Sequence, residues 1–247
     1  MKLAPRCLQL DVGNSGAKWR LLDHGQVTAR GTLLAGDENS RTELLGCAPA
    51  VGQVWVASVA GEEAEAALVA MLVGRWGVTP WFARSTAQCG AVRNSYREPA
   101  RMGVDRWLAM LAAWQQAQGR VWVVDAGSAL TLDLLSDSGR HEGGYIIPGP
   151  ALMERALLQD TDRVRFAEEA GYDLAPGAST AEAVRHGIAL AQAGALALAL
   201  DRAGPLPPRL LFCGGWGRTL MGLLDRGGEY LPDLVFEGLE ILAAEAD

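Results

Sequence analysis

Apolar and polar positions alternate in a matching way at two places in the chain. Residues 8–22 read Leu8-Gln9-Leu10-Asp11-Val12-Gly13-Asn14-Ser15-Gly16-Ala17-Lys18-Trp19-Arg20-Leu21-Leu22. Residues 122–135 read Trp122-Val123-Val124-Asp125-Ala126-Gly127-Ser128-Ala129-Leu130-Thr131-Leu132-Asp133-Leu134-Leu135. Each is an apolar strand, then Asp-x-Gly followed by Asn or Ser, then a second strand. Each predicts a β-hairpin whose first turn carries Asp and Gly. In each, a further glycine (Gly25, Gly139) follows the Asp by 14 residues and marks a second turn. The offset between the copies is 114 residues, close to half the chain, so the pattern reads as an internal duplication.

The rest of the chain alternates strand and helix patterns. Residues 53–59 and 78–82 read as strands, and residues 62–76 and 103–118 as helices, the second with Trp107, Leu108, Leu111 and Trp114 on one side. Ser179 and Glu182 form a capping box that opens a long Ala/Leu helix to about Arg202, broken by Pro205, Pro207 and Pro208. Residues 209–213 read as a strand ending in Gly214-Gly215, and residues 234–244 as a closing helix. The fold class expected is α/β. Two duplicated lobes, residues 1–116 and 117–247, meet at a seam near residues 115–120, with a nucleotide cleft between them.

Composition narrows the class. Hydrophobic residues make up 49% of the 247 and charged residues 21%, enough to bury a core and too apolar for a disordered chain. The longest uncharged apolar run, residues 188–200, is too short for a membrane span, and Pro5, Arg6 and Asp11 interrupt any signal-peptide core. No two of Cys7, Cys47, Cys89 and Cys213 form a C-x-x-C pair, so the expectation is a reduced cytoplasmic protein without a disulfide framework or zinc site. The net charge of −7 argues against general nucleic-acid binding. That charge is uneven: residues 1–116 hold 12 basic and 10 acidic side chains, net +2, and residues 117–247 hold 10 and 19, net −9. Arg75, Arg84, Arg93, Arg97, Arg101 and Arg106 are accompanied in their stretch only by Glu98 and Asp105, which describes either a solvated basic face or an anion-attracting cleft.

The hairpin turns suit phosphate. Small residues let backbone N–H groups approach an anion, and a neighbouring Asp can hold a cation that bridges phosphate oxygens. Lys18 stands where a cation would neutralise a terminal phosphate, although both Asp residues could equally cap turns. Neither a G-x-x-x-x-G-K-S/T loop nor a G-x-G-x-x-G fingerprint after the first strand is present, and no G-x-S-x-G supports a serine hydrolase. Gly103-Val104-Asp105-Arg106 opens a helix. Asp105 there is either an ordinary charge–dipole pairing or a general base beside an arginine that holds an anionic acceptor. Tyr96 would be a polar lid or a pocket wall. His24, His141 and His186 lie in unrelated contexts and form no metal triad.

Asp11-x-Gly13-Asn14-Ser15-x-x-Lys18, Gly103-x-Asp105-Arg106, Asp125-Ala126-Gly127-Ser128-Ala129 and Gly143-Gly144-x-Ile146-x-Pro148-Gly149 occur in an order and spacing that resembles the type III pantothenate kinases. The resemblance runs from Leu8 through Glu237. It implies ribonuclease-H-like lobes of the acetate-and-sugar-kinase, heat-shock-chaperone and actin superfamily. It implies ATP-dependent phosphorylation of pantothenate to 4′-phosphopantothenate, the first step of coenzyme A biosynthesis. By the same resemblance, Asp11, Val12, Gly13, Asn14, Ser15, Gly16, Ala17, Lys18 and Ser128 bind ATP with Mg2+. Asp125 holds a monovalent cation, K+ or NH4+. Tyr96, Gly103, Val104, Asp105, Arg106 and Thr180 bind pantothenate, with Asp105 as the base. A cytoplasmic homodimer is implied, with no nucleic acid or membrane partner.

Two positions depart from the family pattern: Ser128 stands where Thr is usual, and Trp216 in Cys213-Gly214-Gly215-Trp216 replaces an Asp. The alternatives are a kinase for another small hydroxy acid or a sugar, and a non-catalytic nucleotide-binding or regulatory accessory protein on the same scaffold. Intact Asp11, Asp105 and Asp125 favour catalysis.

Overall fold

The computed structural model describes residues 5–204 and 208–246. Two compact units emerge: one runs up to Ala112 and takes in the segment from Leu234 onward, and the other is Ala113–Asp233. The division falls inside a helix, a few residues before the seam read from the sequence. The last segment, assigned by sequence to the second lobe, groups with the first.

The first unit carries β1 (Arg6–Val12), β2 (Ala17–Asp23), β3 (Gln26–Leu33), α1 (Glu38–Gly46), β4 (Gln53–Ser58), α2 (Glu62–Trp76) and β5 (Trp81–Phe82). A small hairpin, β6 (Gln88–Cys89) and β7 (Val92–Arg93), precedes α3 (Val104–Ala117). The second carries β8 (Val121–Ala126), β9 (Ala129–Leu135), β10 (His141–Pro148), α4 (Pro150–Asp160), α5 (Thr180–Arg202), β11 (Arg209–Cys213), α6 (Gly217–Leu224) and β12 (Glu229–Tyr230). The final helix, α7 (Leu234–Glu245), belongs to the first unit.

The two sheets have the same strand order, β3-β2-β1-β4-β5 and β10-β9-β8-β11-β12. In each, an antiparallel three-strand meander is followed by two parallel strands. The duplication reaches individual hydrogen bonds. Val59 donates to the Val12 carbonyl and Trp216 to Ala126; Gly52 donates to Arg6 and Arg209 to Arg120. Each acceptor pair is separated by the 114-residue offset of the sequence repeat. The α/β fold of two duplicated ribonuclease-H-like lobes is thus present.

In the first unit Leu8, Leu10, Trp19, Leu21, Val54 and Val56 pack one sheet face against Leu44 of α1 and Leu68 and Leu72 of α2. Each fully buried leucine contributes about 1.5–3 kcal/mol. α7 covers β1 and β4, and the Phe236 ring it carries lies 4.8 Å from the Arg20 guanidinium. That guanidinium is buried yet satisfied, donating to Gln9 Oε1 and Glu240 Oε1 at 2.7 Å each. In the second unit Trp122, Val124, Ala126, Leu130 and Leu132 meet Leu196 of α5 and Leu220 of α6.

The strand expected over residues 78–82 pairs only at Trp81 and Phe82, because Pro80 has no N–H to give the ladder. α5 starts at the expected cap: Ser179 accepts from the Glu182 N–H at 3.2 Å, but the Glu182 carboxylate reaches back to Ala178 rather than Ser179. The helix ends at Arg202; Pro205 and Pro207 lie outside the described residues. By length and composition α5 is the one described helix able to cross a membrane, and a third of its most apolar stretch is buried within the protein.

Candidate functional site

Asp11 and Asp125 occupy equivalent places in the two units. Each ends a central strand on the face away from the helices that fill the main core, opposite Lys18 and Thr131 respectively. The first turn closes through Gly13 N–H to Gly16 O at 2.9 Å and leaves Asn14, Ser15 and Lys18 exposed. Gly16 has φ +152°, and a Cβ there would stand 2.8 Å from the Leu33 carbonyl, so only glycine fits.

The second turn is two residues shorter between its strands, Gly127 and Ser128 against residues 13–16. It is held from both sides. Gly149 donates to the Ser128 carbonyl at 3.0 Å, and Trp216 to the Ala126 carbonyl at 2.9 Å. Gly214, with φ +79°, passes so close over Asp125 that a Cβ would sit 2.5 Å from Asp125 Oδ1. Its carbonyl accepts from Tyr230 Oη at 3.0 Å. The Asp125 carboxylate and the backbone carbonyls packed beside Gly214 are an oxygen donor set of the kind that suits a hard cation. Among the described residues no three His, Cys, Asp or Glu converge. Mg2+ that keeps its waters and binds phosphate needs only one or two carboxylates, so single Asp residues on the turns fit it.

The acceptor motif forms a second cluster in the first unit. Gly103 accepts the first helical hydrogen bond of α3 from Trp107 at 3.1 Å. Asp105 lies in that first turn, and its Oδ1 accepts from the Arg106 backbone N–H at 2.7 Å. The helix N-terminus stabilises a negative charge there. Arg106 is 4% exposed as a residue, and its guanidinium donates to Tyr96 Oη at 2.8 Å. Tyr96 is fixed in turn by its N–H to Asn94 Oδ1 at 2.9 Å, and the Asn94 amide donates to the Thr86 and Pro99 carbonyls. The sequence pairing of Tyr96, Asp105 and Arg106 is therefore a physical cluster. Val104 is buried beneath it.

Thr180 lies in the second unit, exposed at the first position of α5 on the rim of an apolar cavity of about 990 Å3. Leu152, Met153, Val164, Val184 and Ile188 line that cavity between α4 and α5.

The basic stretch is largely committed elsewhere. Arg75 donates to the Leu45 and Ala48 carbonyls at the end of α1, and Arg84 binds Glu65 through two bonds, 2.8 and 3.3 Å. Arg84 thereby holds the Glu65 carboxyl below its usual range. Arg101 pairs with Glu98 at 3.8 Å. The anion-attracting reading narrows to Arg93, Arg97 and Arg106.

Sequence reasoning missed two constellations. His141 is not isolated: it meets Asp133 at 2.9 Å in the interior. Asp133 takes the polar phase of the β9 alternation, but the strand is buried on both faces, so no local signal marked the pair. Arg185 binds Glu154 and the Ala170 carbonyl, and nearby Tyr172 stacks edge to face on Trp216, a grouping that no spacing announces.

The family model for type III pantothenate kinase matches residues 7–202. A type III pantothenate kinase of Hahella chejuensis is 34% identical over 238 residues, covering 96% of each chain. That of Chromohalobacter salexigens is 38% identical over 241 residues, covering 94% of this chain and 85% of its own. A solved structure from Sinorhizobium meliloti, described as a 2-dehydro-3-deoxygalactonokinase, superposes with a TM-score of 0.63 at 17% identity, covering 96% of this chain and 98% of its own. That last likeness speaks to the fold; the matches along nearly the whole sequence go further, and on them the chain belongs to the type III pantothenate kinase family.

Proposed function

We propose that the protein transfers the γ-phosphoryl group of ATP to the primary hydroxyl of pantothenate, giving 4′-phosphopantothenate. The observation that carries the reading is the Asp105 carboxylate, held at the start of α3 beside an arginine anchored on Tyr96. Asp105 takes the hydroxyl proton. Phosphoryl transfer passes through a loose transition state that asks for positioning and charge stabilisation more than for a strong base. Arg106 and Tyr96 form the polar wall toward the substrate carboxylate, and Thr180 supplies a further hydroxyl.

The Asp11–Lys18 turn and Ser128 bind the ATP phosphates, Lys18 offsetting negative charge. Bound Mg2+ would neutralise phosphate oxygens as charge moves to the leaving group. Asp125, under Gly214, would hold a monovalent cation such as K+ or NH4+. Trp216 does not remove this site, because its backbone N–H, not its side chain, braces the turn.

The apolar cavity between α4 and α5 and the exposed Leu190, Leu198, Tyr145 and Ile146 support a homodimer in which a second copy covers this face. The protein is then a cytoplasmic enzyme whose α5 faces protein rather than lipid. The test is to incubate purified protein with ATP, Mg2+, K+ and pantothenate and look for 4′-phosphopantothenate by mass spectrometry. Absence of product with ATP and both ions saturating refutes the reading.

A further inference from the structure

Residues 161–179 join α4 to α5 without helix or strand. A connection this long inside a compact unit is ordinarily functional. Arg185, one turn into α5, gathers it. Its Nε and Nη2 reach the two Glu154 oxygens of α4 at 3.3 and 3.2 Å. Its Nη1 donates to the Ala170 carbonyl at 2.6 Å, and the guanidinium lies 5.6 Å from the Phe166 ring centre. One planar head thus ties a helix and two points of the segment together, which a lysine ammonium has no geometry to copy.

The contacts continue outward. The Tyr172 phenol lies close to Glu154, and burial, aided by that negative charge, holds the phenol above its ordinary pKa. The Tyr172 ring meets the Trp216 indole edge to face, centroids 4.4 Å apart. The Trp216 N–H in turn braces the Ala126 carbonyl, the residue just before Gly127 and Ser128. The path therefore runs from Arg185 to the Ala170 carbonyl, two residues along the chain to Tyr172, across to the Trp216 indole, and through the Trp216 backbone N–H to Ala126.

We propose that Arg185 is a positioning residue for phosphoryl transfer: by fixing Glu154 and residues 166–172 it seats Tyr172 against Trp216 and so sets the Asp125–Ser128 turn. This rests on the proposed role of that turn in ATP binding. It also gives the Trp216 indole a role: it is the surface through which the segment reaches the turn.

The test uses R185K, which keeps the charge and loses the fork, Y172L, which keeps apolar volume and loses the ring, and the double variant. Calorimetric titration of the intact proteins with a non-hydrolysable ATP analogue and Mg2+ gives Kd, and steady-state kinetics give KM for each substrate. R185K should weaken the analogue and raise the KM for ATP roughly tenfold, with the KM for pantothenate within about twofold of wild type. Y172L should do the same, and the double variant should be no worse than either alone. Equal Kd for wild type and R185K overturns the proposal, as do additive losses or equal losses for both substrates; a fall in Tm with Kd unchanged assigns Arg185 to stability alone. If wild type binds the analogue but makes no 4′-phosphopantothenate, the functional reading fails while the Kd comparison still judges the clamp.

Discussion

Gly103→Ala probes the base more selectively than removing the base itself. A Cβ on Gly103 would stand 2.6 Å from Asp105 Oδ1, where ordinary contact begins near 3.4 Å, so the carboxylate must retreat by roughly 0.8 Å. The obstacle is the end of a side chain rather than backbone, and the cost to folding is modest. Exchanging glycine for alanine at a helix N-cap costs about 1 kcal/mol. For a chain of this size that lowers Tm by about 2–4 °C. The kinetic cost is larger, because a misplacement near 1 Å takes about 100-fold from the rate, equivalent to about 2.7 kcal/mol of barrier. The assay is coupled ADP release at saturating ATP and pantothenate, alongside thermal melting. D105N should lose on the order of 10²–10⁴. Adding G103A to D105N should cost little more, since the carboxylate it displaces no longer acts as a base. A G103A enzyme within threefold of wild-type kcat, melting a few degrees lower, would refute the assignment of Asp105.

Three further outcomes are expected. Exchanging K+ for a bulky organic cation at constant ionic strength should suppress turnover, and equal rates would remove Asp125 from cation binding. T180V should raise the KM for pantothenate with Tm nearly unchanged, whereas S179A should lower Tm by removing the side chain that accepts from Glu182; the reverse pattern would make Thr180 a cap residue only. Burial pushes the Cys7 thiol up to about 12 and Cys89 to about 11. Since the thiolate is the reactive form, neither should react with Ellman's reagent at pH 8 in the folded protein. Rapid release of all four equivalents without denaturant would contradict that.

The repeat was legible because strand alternation and turn glycines are local: Asp11 and Asp125 announce themselves within a few residues of their own hairpins. The start of α5 was legible for the same reason, from Ser179 and Glu182. What escaped was non-local. The α7 sequence Leu-Val-Phe-Glu-Gly-Leu-Glu-Ile-Leu is apolar on most sides, so its period does not say which sheet it covers. The pairing of Glu240 with Arg20 across 220 positions reveals it, as does Phe236 against the same guanidinium. Arg20 between Trp19 and Leu21 was the available hint, since a buried guanidinium demands a partner. α4 went unread because it follows directly on the Gly149-Pro150 turn. Tyr172 lies in a segment with no period at all, and its importance comes from where Arg185 and Trp216 place it.

The return of α7 has a consequence for synthesis on the ribosome. Residues 113–233 form one unbroken stretch of chain, so that unit emerges with all its parts. The unit that begins first has no such completeness: until Glu240 and Phe236 are made, the Arg20 guanidinium has Gln9 but lacks its carboxylate and its ring. At Gly238, α7 comes so near the Leu108 carbonyl that any side chain would collide, so it docks as the last piece of a close fit. Domains usually fold in the order in which they are translated. Here the unit translated second has all its parts once Asp233 is made, whereas the unit translated first still awaits α7.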